Sequence, residues 1–256
     1  MPAVTTGGGN IAIGYNAGQT GQGTGSVAIG AEAGNDRQSQ QAIAIGTDAG
    51  RNVQSTGAIA IGMEAGFMSQ NFSAVAIGEG AGQHKGDRVA PGTSALTASQ
   101  MSAYQTDWDK SNGSIAIGWY AANIGQRSRA IAIGNSAGFY DQSFNAIALG
   151  ASAGFRSQGY NAIAIGPSAG YYIQGTESIA IGSEAGLSGQ DISSIALGAQ
   201  ALSGADLGSG TEDISHNIAI GTDAYDVADT ENHNLAIGHV ALGGSVAGGE
   251  YNVAIG

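Results

Sequence analysis

The chain has 256 residues, of which 45 are Gly, none is Cys and only 11% are charged, with a formal net charge of −12. That composition excludes a disulfide framework and cysteine-based metal sites. Eight Lys and Arg against twenty Asp and Glu leave no basic patch for nucleic acid or an anionic membrane surface.

Residues 1–9 read as a linker. Met1-Pro2-Ala3-Val4-Thr5-Thr6 and the glycines that follow have neither the basic start nor the apolar core of a signal peptide. No stretch approaches the run of about 18 apolar residues that a membrane span needs. Export by a leader within this chain and membrane insertion are therefore not expected.

From Asn10 onward the chain is a repeat. The tetrapeptide Ile/Val/Leu-Ala-Ile/Leu-Gly begins at Ile11, Val27, Ile43, Ile59, Val75, Ile115, Ile131, Ile147, Ile163, Ile179, Ile195, Ile218, Leu235 and Val253. Between Ile115 and Gly198 the spacing is 16 residues throughout. A fixed period of this kind marks a solenoid, in which each coil buries its apolar face only against its neighbours. The predicted class is all-β, with 16-residue coils, in segments 10–82, 114–198 and 199–256.

Within a coil, counted from its first Ile, alternation of branched, small and branched apolar residues has the period of a strand, which β-branched Ile suits. Ile117, Ile133 and Ile165 at position 3 are expected to face the coil interior together with position 1. Ala at position 2 is expected outside, kept small by a neighbouring backbone. Gly at position 4, as in Gly118 and Gly134, supplies the turn out of the strand. Ala at position 7, usually followed by Gly, reads as a second inward contact and corner. Gln recurs at position 12, as in Gln126, Gln142 and Gln158, and stacking at about 4.8 Å predicts an amide ladder along the axis.

The motifs Gly25–Gly30 (Gly-Ser-Val-Ala-Ile-Gly), His216–Gly221 (His-Asn-Ile-Ala-Ile-Gly) and Tyr251–Gly256 (Tyr-Asn-Val-Ala-Ile-Gly) carry a resemblance. They are similar to the Asn/Ser-x-Ala-Ile-Gly repeats of the left-handed parallel β-roll. That roll is found in the heads of trimeric autotransporter adhesins and in related bacteriophage tail-fibre and adhesin shafts. The resemblance implies a homotrimer and a virion or extracellular setting. The coils here are longer than is typical of the adhesin heads, and the anchor, coiled-coil stalk and secretion segments of those proteins are not found, which favours a phage fibre or an isolated fragment.

Residues 83–113 interrupt the repeat. Pro91-Gly92 reads as a turn, and Leu96, Gln100, Ala103, Tyr104 and Trp108 follow helical spacing, so a short amphipathic helix is predicted here. His84, Lys85, Arg88, Tyr104, Trp108 and Lys110 are the candidate binding residues, because exposed insertions on rigid scaffolds often carry recognition. Bracing against the roll is the alternative. Aromatics at positions 9, 10 and 14 (Phe67, Phe72, Phe139, Tyr140, Phe144, Phe155, Tyr160, Tyr171 and Tyr172) suit either glycan contact or filling of the loop. In the irregular third segment, Asp206, Glu212, Asp213, Asp223, Asp226, Asp229 and Glu231 read as a solvated acidic face. His216 and His233, each two residues before a motif, are expected to stack, with a metal ring across three chains as the weaker reading.

No nucleophile elbow, acid–base pair or phosphate loop stands apart from the repeat, so neither an enzyme nor a cofactor is expected. Ice binding is disfavoured because Thr forms no regular array. The expected role is a structural or adhesive fibre segment for host or surface attachment, with a cell-surface glycan or receptor as partner besides the chain itself. A self-assembling filament subunit joining end to end is the alternative.

Overall fold

The computed structural model describes residues 8–83, 112–204, 215–226, 232–244 and 249–256. The chain divides into two units, Met1–Arg129 and Ala130–Gly256. Both are parallel β-solenoids, and there is no helix among the described residues. The predicted helix lies outside them.

In the first unit, strands β1 (Ile11–Ile13), β2 (Val27–Ile29), β4 (Ile43–Ile45), β6 (Ile59–Ile61), β8 (Val75–Ile77) and β9 (Ile115–Ile117) form one parallel ladder in that order. A second ladder holds β3 (Asp36–Gln38), β5 (Asn52–Gln54) and β7 (Met68–Gln70). In the second unit the main ladder runs through β10 (Ile131–Ile133), β12 (Ile147–Leu149), β14 (Ile163–Ile165), β15 (Ile179–Ile181), β16 (Ile195–Leu197), β17 (Ile218–Ile220), β18 (Leu235–Ile237) and β19 (Val253–Ile255). Its companion pairs β11 (Tyr140–Gln142) with β13 (Arg156–Gln158).

Every tetrapeptide predicted to be a strand is one. Register follows the repeat residue for residue: Ile147 pairs with Ile163, Ala148 with Ala164 and Leu149 with Ile165. Irregular spacings do not disturb it. Val75 pairs directly with Ile115, and Ile195 with Ile218, so consecutive rungs stay in register across both longer spacings.

Each coil turns on two short corners. The Ala at position 7 donates its N–H to the Gly carbonyl at position 4, as in Ala33 to Gly30 at 3.4 Å, and position 16 does the same to position 13, as in Ala42 to Ser39 at 3.4 Å. Gly is required at position 4 for two reasons. Gly30 has φ 128°, and a Cβ on it would lie 2.6 Å from the backbone carbon and oxygen of Gly46 in the next coil. Positions 6, 11 and 15 also take positive φ, often without Gly, as at Glu32 (56°), Arg37 (54°) and Gln41 (57°). Such angles are uncommon for residues with a Cβ. Here the coil-to-coil hydrogen bonds hold them: Glu32 N–H reaches Tyr15 O at 2.7 Å and Gln41 N–H reaches Thr24 O at 3.0 Å.

The strand faces are the reverse of the expectation. Ala at position 2 is fully buried, with Ala44, Ala60, Ala132, Ala148 and Ala164 all at 0% exposure. Ile117, Ile133 and Ile165 are only half-buried, and they lie on the outer side. Alternation separates two faces but does not say which is inside. The cross-section decides it, because position 2 shares the interior with Ala at position 7, Gln at position 12 and Ala or Ser at position 16, all buried. The opposite walls are so close that a branched side chain from position 1 or 3 has no space there.

The predicted amide ladder fills the remaining space. Gln54 Nε2 donates to Ile43 O at 2.7 Å, Ala58 O at 3.2 Å and Gln70 Oε1 at 3.1 Å. Gln142, Gln158, Gln174 and Gln190 repeat the pattern in the second unit. The interior is thus a column of mutually bonded amides sheathed in methyl groups. Such a network is stable because nearly every buried polar atom is satisfied.

The ladder changes chemistry in the third segment. Leu202 and Tyr225 replace Gly at position 8, with φ 52° and 51°, and both side chains are fully buried. Asn234 Nδ2 donates to the Tyr225 hydroxyl at 2.9 Å, while Asn234 N–H reaches Asn217 Oδ1 and Asn252 N–H reaches Asn234 Oδ1, both at 2.8 Å. The substitution is coupled. In the regular coils a Cβ at position 8 would press on the Gln amide, as at Gly34, 2.8 Å from Gln38 Cδ. The two large residues buried at position 8, Leu202 and Tyr225, thus stand in coils without the Gln, whereas the coil of Gln126 takes nothing larger than Ala122 there.

Candidate interaction surfaces

Outward Ile forms an extended apolar feature among the described residues. In the first unit Ile11 and Ile13 are 44% and 49% exposed, and in the second Leu149, Ile181 and Ile220 are 37–39% exposed. Because the strands are in register, these side chains line up into two parallel ridges along each main ladder. Contiguous exposed apolar surface of this kind marks an interaction site far more than scattered single residues do. Completing the burial of two half-covered branched side chains would gain about 1.5–3 kcal/mol per coil.

Position 9 forms a second, outward column. In the second unit Phe139 stacks on Phe155 with centroids 5.1 Å apart and planes at 20°, and Phe155 stacks on Tyr171 at 4.8 Å and 4°. Tyr140 and Tyr172, at position 10, stand nearly perpendicular, at 85° to Phe155 and 80° to Tyr171. In the first unit Arg51 at position 9 lies 5.6 Å from the Phe67 ring centroid, a cation–π contact. Arg51 also pairs with Glu32 at 2.6 Å and with Asp48 at 3.2 Å. Burial raises the Asp48 carboxyl above its ordinary value; Arg51 opposes the rise, and Glu32 and Glu64 add to it.

His216 and His233 stack as expected, with centroids 5.0 Å apart and parallel planes, and Tyr251 continues the stack at 4.8 Å from His233. Parallel rings direct their in-plane lone pairs side by side instead of toward one point. Among the described residues no group of three or more His, Asp or Glu side chains is placed to hold a metal ion.

His84, Lys85, Arg88, Tyr104, Trp108 and Lys110 lie outside the described residues, as do Asp206, Glu212, Asp213, Asp229 and Glu231. The first unit has an interior gap near the chain's departure at Gln83, lined by Gln70, Val75, Gly82, Ser114 and Gln126, with room for about one water. Gln83 and Asn123 partly replace the missing amide there: both are buried, and Asn123 Nδ2 donates to Gln83 Oε1 at 3.2 Å. No described helix is long and apolar enough to cross a membrane.

Tyr140 and Tyr172 belong to the aromatic set expected from the sequence, but their perpendicular setting and the outward Ile ridges were not expected from it. The 16-residue spacing of Phe139, Phe155 and Tyr171 was the available signal for the column. Comparison with protein-family models, with curated proteins and with solved structures gives no match.

Proposed function

We propose that the chain is a segment of a homotrimeric fibre, set in a virion tail or on a cell surface, whose task is attachment to a host or surface. The single observation behind this reading is the outward Ile ridge. A solenoid that keeps Ala and Gln inside and presents Ile along its main sheet has an apolar wall that the described residues leave partly exposed. A second and third copy supply it symmetrically, since closed assemblies bury like surfaces together. The resemblance of the Ala-Ile-Gly motifs to adhesin and tail-fibre rolls points the same way. Function in this reading is mechanical and presentational: the amide ladder stiffens each unit, and the outer positions are free to vary.

Light scattering over a hundredfold range of concentration tests it. A constant mass near three chains is the expected result. A single-chain mass at all concentrations would overturn the proposal, and mass that grows with concentration would favour end-to-end filaments instead.

A further inference from the structure

The aromatic cluster of the second unit does more than pack. Residues 139–172 hold seven of the 14 Phe and Tyr side chains of the whole sequence. Three of them, Phe139, Phe155 and Tyr171, form the stacked column, and stacking covers their faces with one another. The column is a structural element in its own right. Tyr140 and Tyr172 are not part of it, and each stands against its side.

These two tyrosines occupy the same position in coils that are two rungs apart. Tyr140 pairs in register with Arg156, and the bridge between Gln158 and Gln174 carries the same register on to the coil of Tyr172. Their separation along the axis is therefore about 9.6 Å, two rungs of about 4.8 Å each. The column's rings lie across the direction of stacking; Tyr140, at 65° to Phe139 and 85° to Phe155, and Tyr172, at 80° to Tyr171, are steeply inclined to them and so lie more nearly along it. Tyr172 is 38% exposed, and Arg156 between the two is exposed too, as is Asp141 beside Tyr140.

We propose that Tyr140 and Tyr172, with Arg156 between them, form a two-ring platform for a neutral, extended β-1,4-linked polysaccharide running parallel to the solenoid axis. In such a chain every second sugar presents the same flat, C–H-rich face, at a disaccharide repeat that closely matches two rungs. Alternate sugars then lie on the two rings, and the intervening sugar lies over Arg156. The guanidinium of Arg156 and the carboxylate of Asp141 supply a donor and an acceptor for sugar hydroxyls. The column braces each tyrosine from one side, so little side-chain freedom remains to be lost on binding. A net charge of −12 disfavours polyanionic glycans. The site is local: the equivalent positions Asp36, Asn52 and Met68 of the first unit and Ser188 of the second carry no ring.

The inference stands independently of the trimer, and its test reads binding alone. The full chain is titrated calorimetrically with cellohexaose, xylohexaose and chitohexaose, and with β-1,3-linked laminarihexaose as the geometric control. Binding of at least one β-1,4 hexaose, at least tenfold tighter than laminarihexaose, is expected. Tyr140→Leu and Tyr172→Leu, which keep apolar cover on the column but remove the flat ring, are each expected to weaken it at least tenfold. Tyr160→Leu, at an exposed ring off the platform, leaves it unchanged. Far-UV circular dichroism verifies that each variant is folded, and Tyr172→Phe, which keeps the ring, is the substitute readout if a Leu variant does not fold; it is expected to retain most of the affinity. Failure of all three β-1,4 hexaoses to bind, or undiminished binding by the Leu variants, overturns the proposal.

Discussion

Replacing Gln158 by leucine separates an interior held by amide bonding from one held by volume alone. Gln158 accepts from Gln142 Nε2 at 3.1 Å and donates to Ile147 O at 2.7 Å, Ala162 O at 3.3 Å and Gln174 Oε1 at 3.1 Å. Leucine has similar bulk and no polar atom. Its introduction leaves Gln174 Oε1, in a side chain 1% exposed, without its donor, while Gln142 Nε2 keeps Ile131 O and Ala146 O. An orphaned buried acceptor costs about 1–3 kcal/mol and a lost bond about 1 kcal/mol, partly offset by about 1–2 kcal/mol of apolar burial, for a net loss centred on about 1.5 kcal/mol. Urea denaturation followed by circular dichroism measures it. Gln200→Leu is the control, since the Gln200 side chain is exposed and bonds the Glu184 carboxylate on the surface, and is expected to shift stability by less than about 0.5 kcal/mol. A Gln158→Leu protein as stable as the parent would refute the ladder as a source of stability.

Three further outcomes follow from the same packing. Gly154→Leu alone is expected to destabilise by more than about 3 kcal/mol, because its Cβ would lie 2.8 Å from Gln158 Oε1, and adding Gln158→Ala is expected to recover part of that loss, as double-mutant denaturation would show. Tyr225→Phe removes the hydroxyl that Asn234 bonds inside the third segment, for a loss of about 1–2 kcal/mol in the melting free energy. At Asp48 burial raises the carboxyl pKa from 3.8, so the fold favours the protonated form and stability falls as pH rises through the raised value. Asp48→Asn is therefore expected to be more stable than the parent at neutral pH, with the difference closing below the ordinary carboxylate range in melts taken across pH.

Most of the fold was legible because one constraint, the rung-to-rung register, repeats in every coil. Ile131, Ile147 and Ile163 announce the strand, Gly134 and Gly150 its end, and Gln142 and Gln158 the interior amides. The facing of the strand was not legible from the tetrapeptide, where a branched apolar residue ordinarily marks the buried side. The cue lay elsewhere in the coil. Ala137, Gln142 and Ala146 are all buried, and in a coil so thin the Gln142 amide fills the interior, leaving space for Ala132 but not for Ile133. Strands such as Asp36–Gln38 and Arg156–Gln158 carry no strand pattern of their own. They exist because the amide ladder holds positions 10–12 in register with the coils on either side. The aromatic column was visible as a spacing, but the perpendicular set of Tyr140 and Tyr172 depends on ring orientation, which no spacing encodes.

The proposed assembly rests on the outward face of the main sheet, and the decisive experiment is the solution mass of an Ile133→Glu, Ile165→Glu double variant. Both side chains point away from the interior and are half-buried within a single chain. Parental circular dichroism and the mass of one chain in sedimentation are the expected result. A variant that fails to fold would put these residues inside the coil, and one with the mass of the proposed trimer would remove the Ile ridge from its interface; either result overturns this reading.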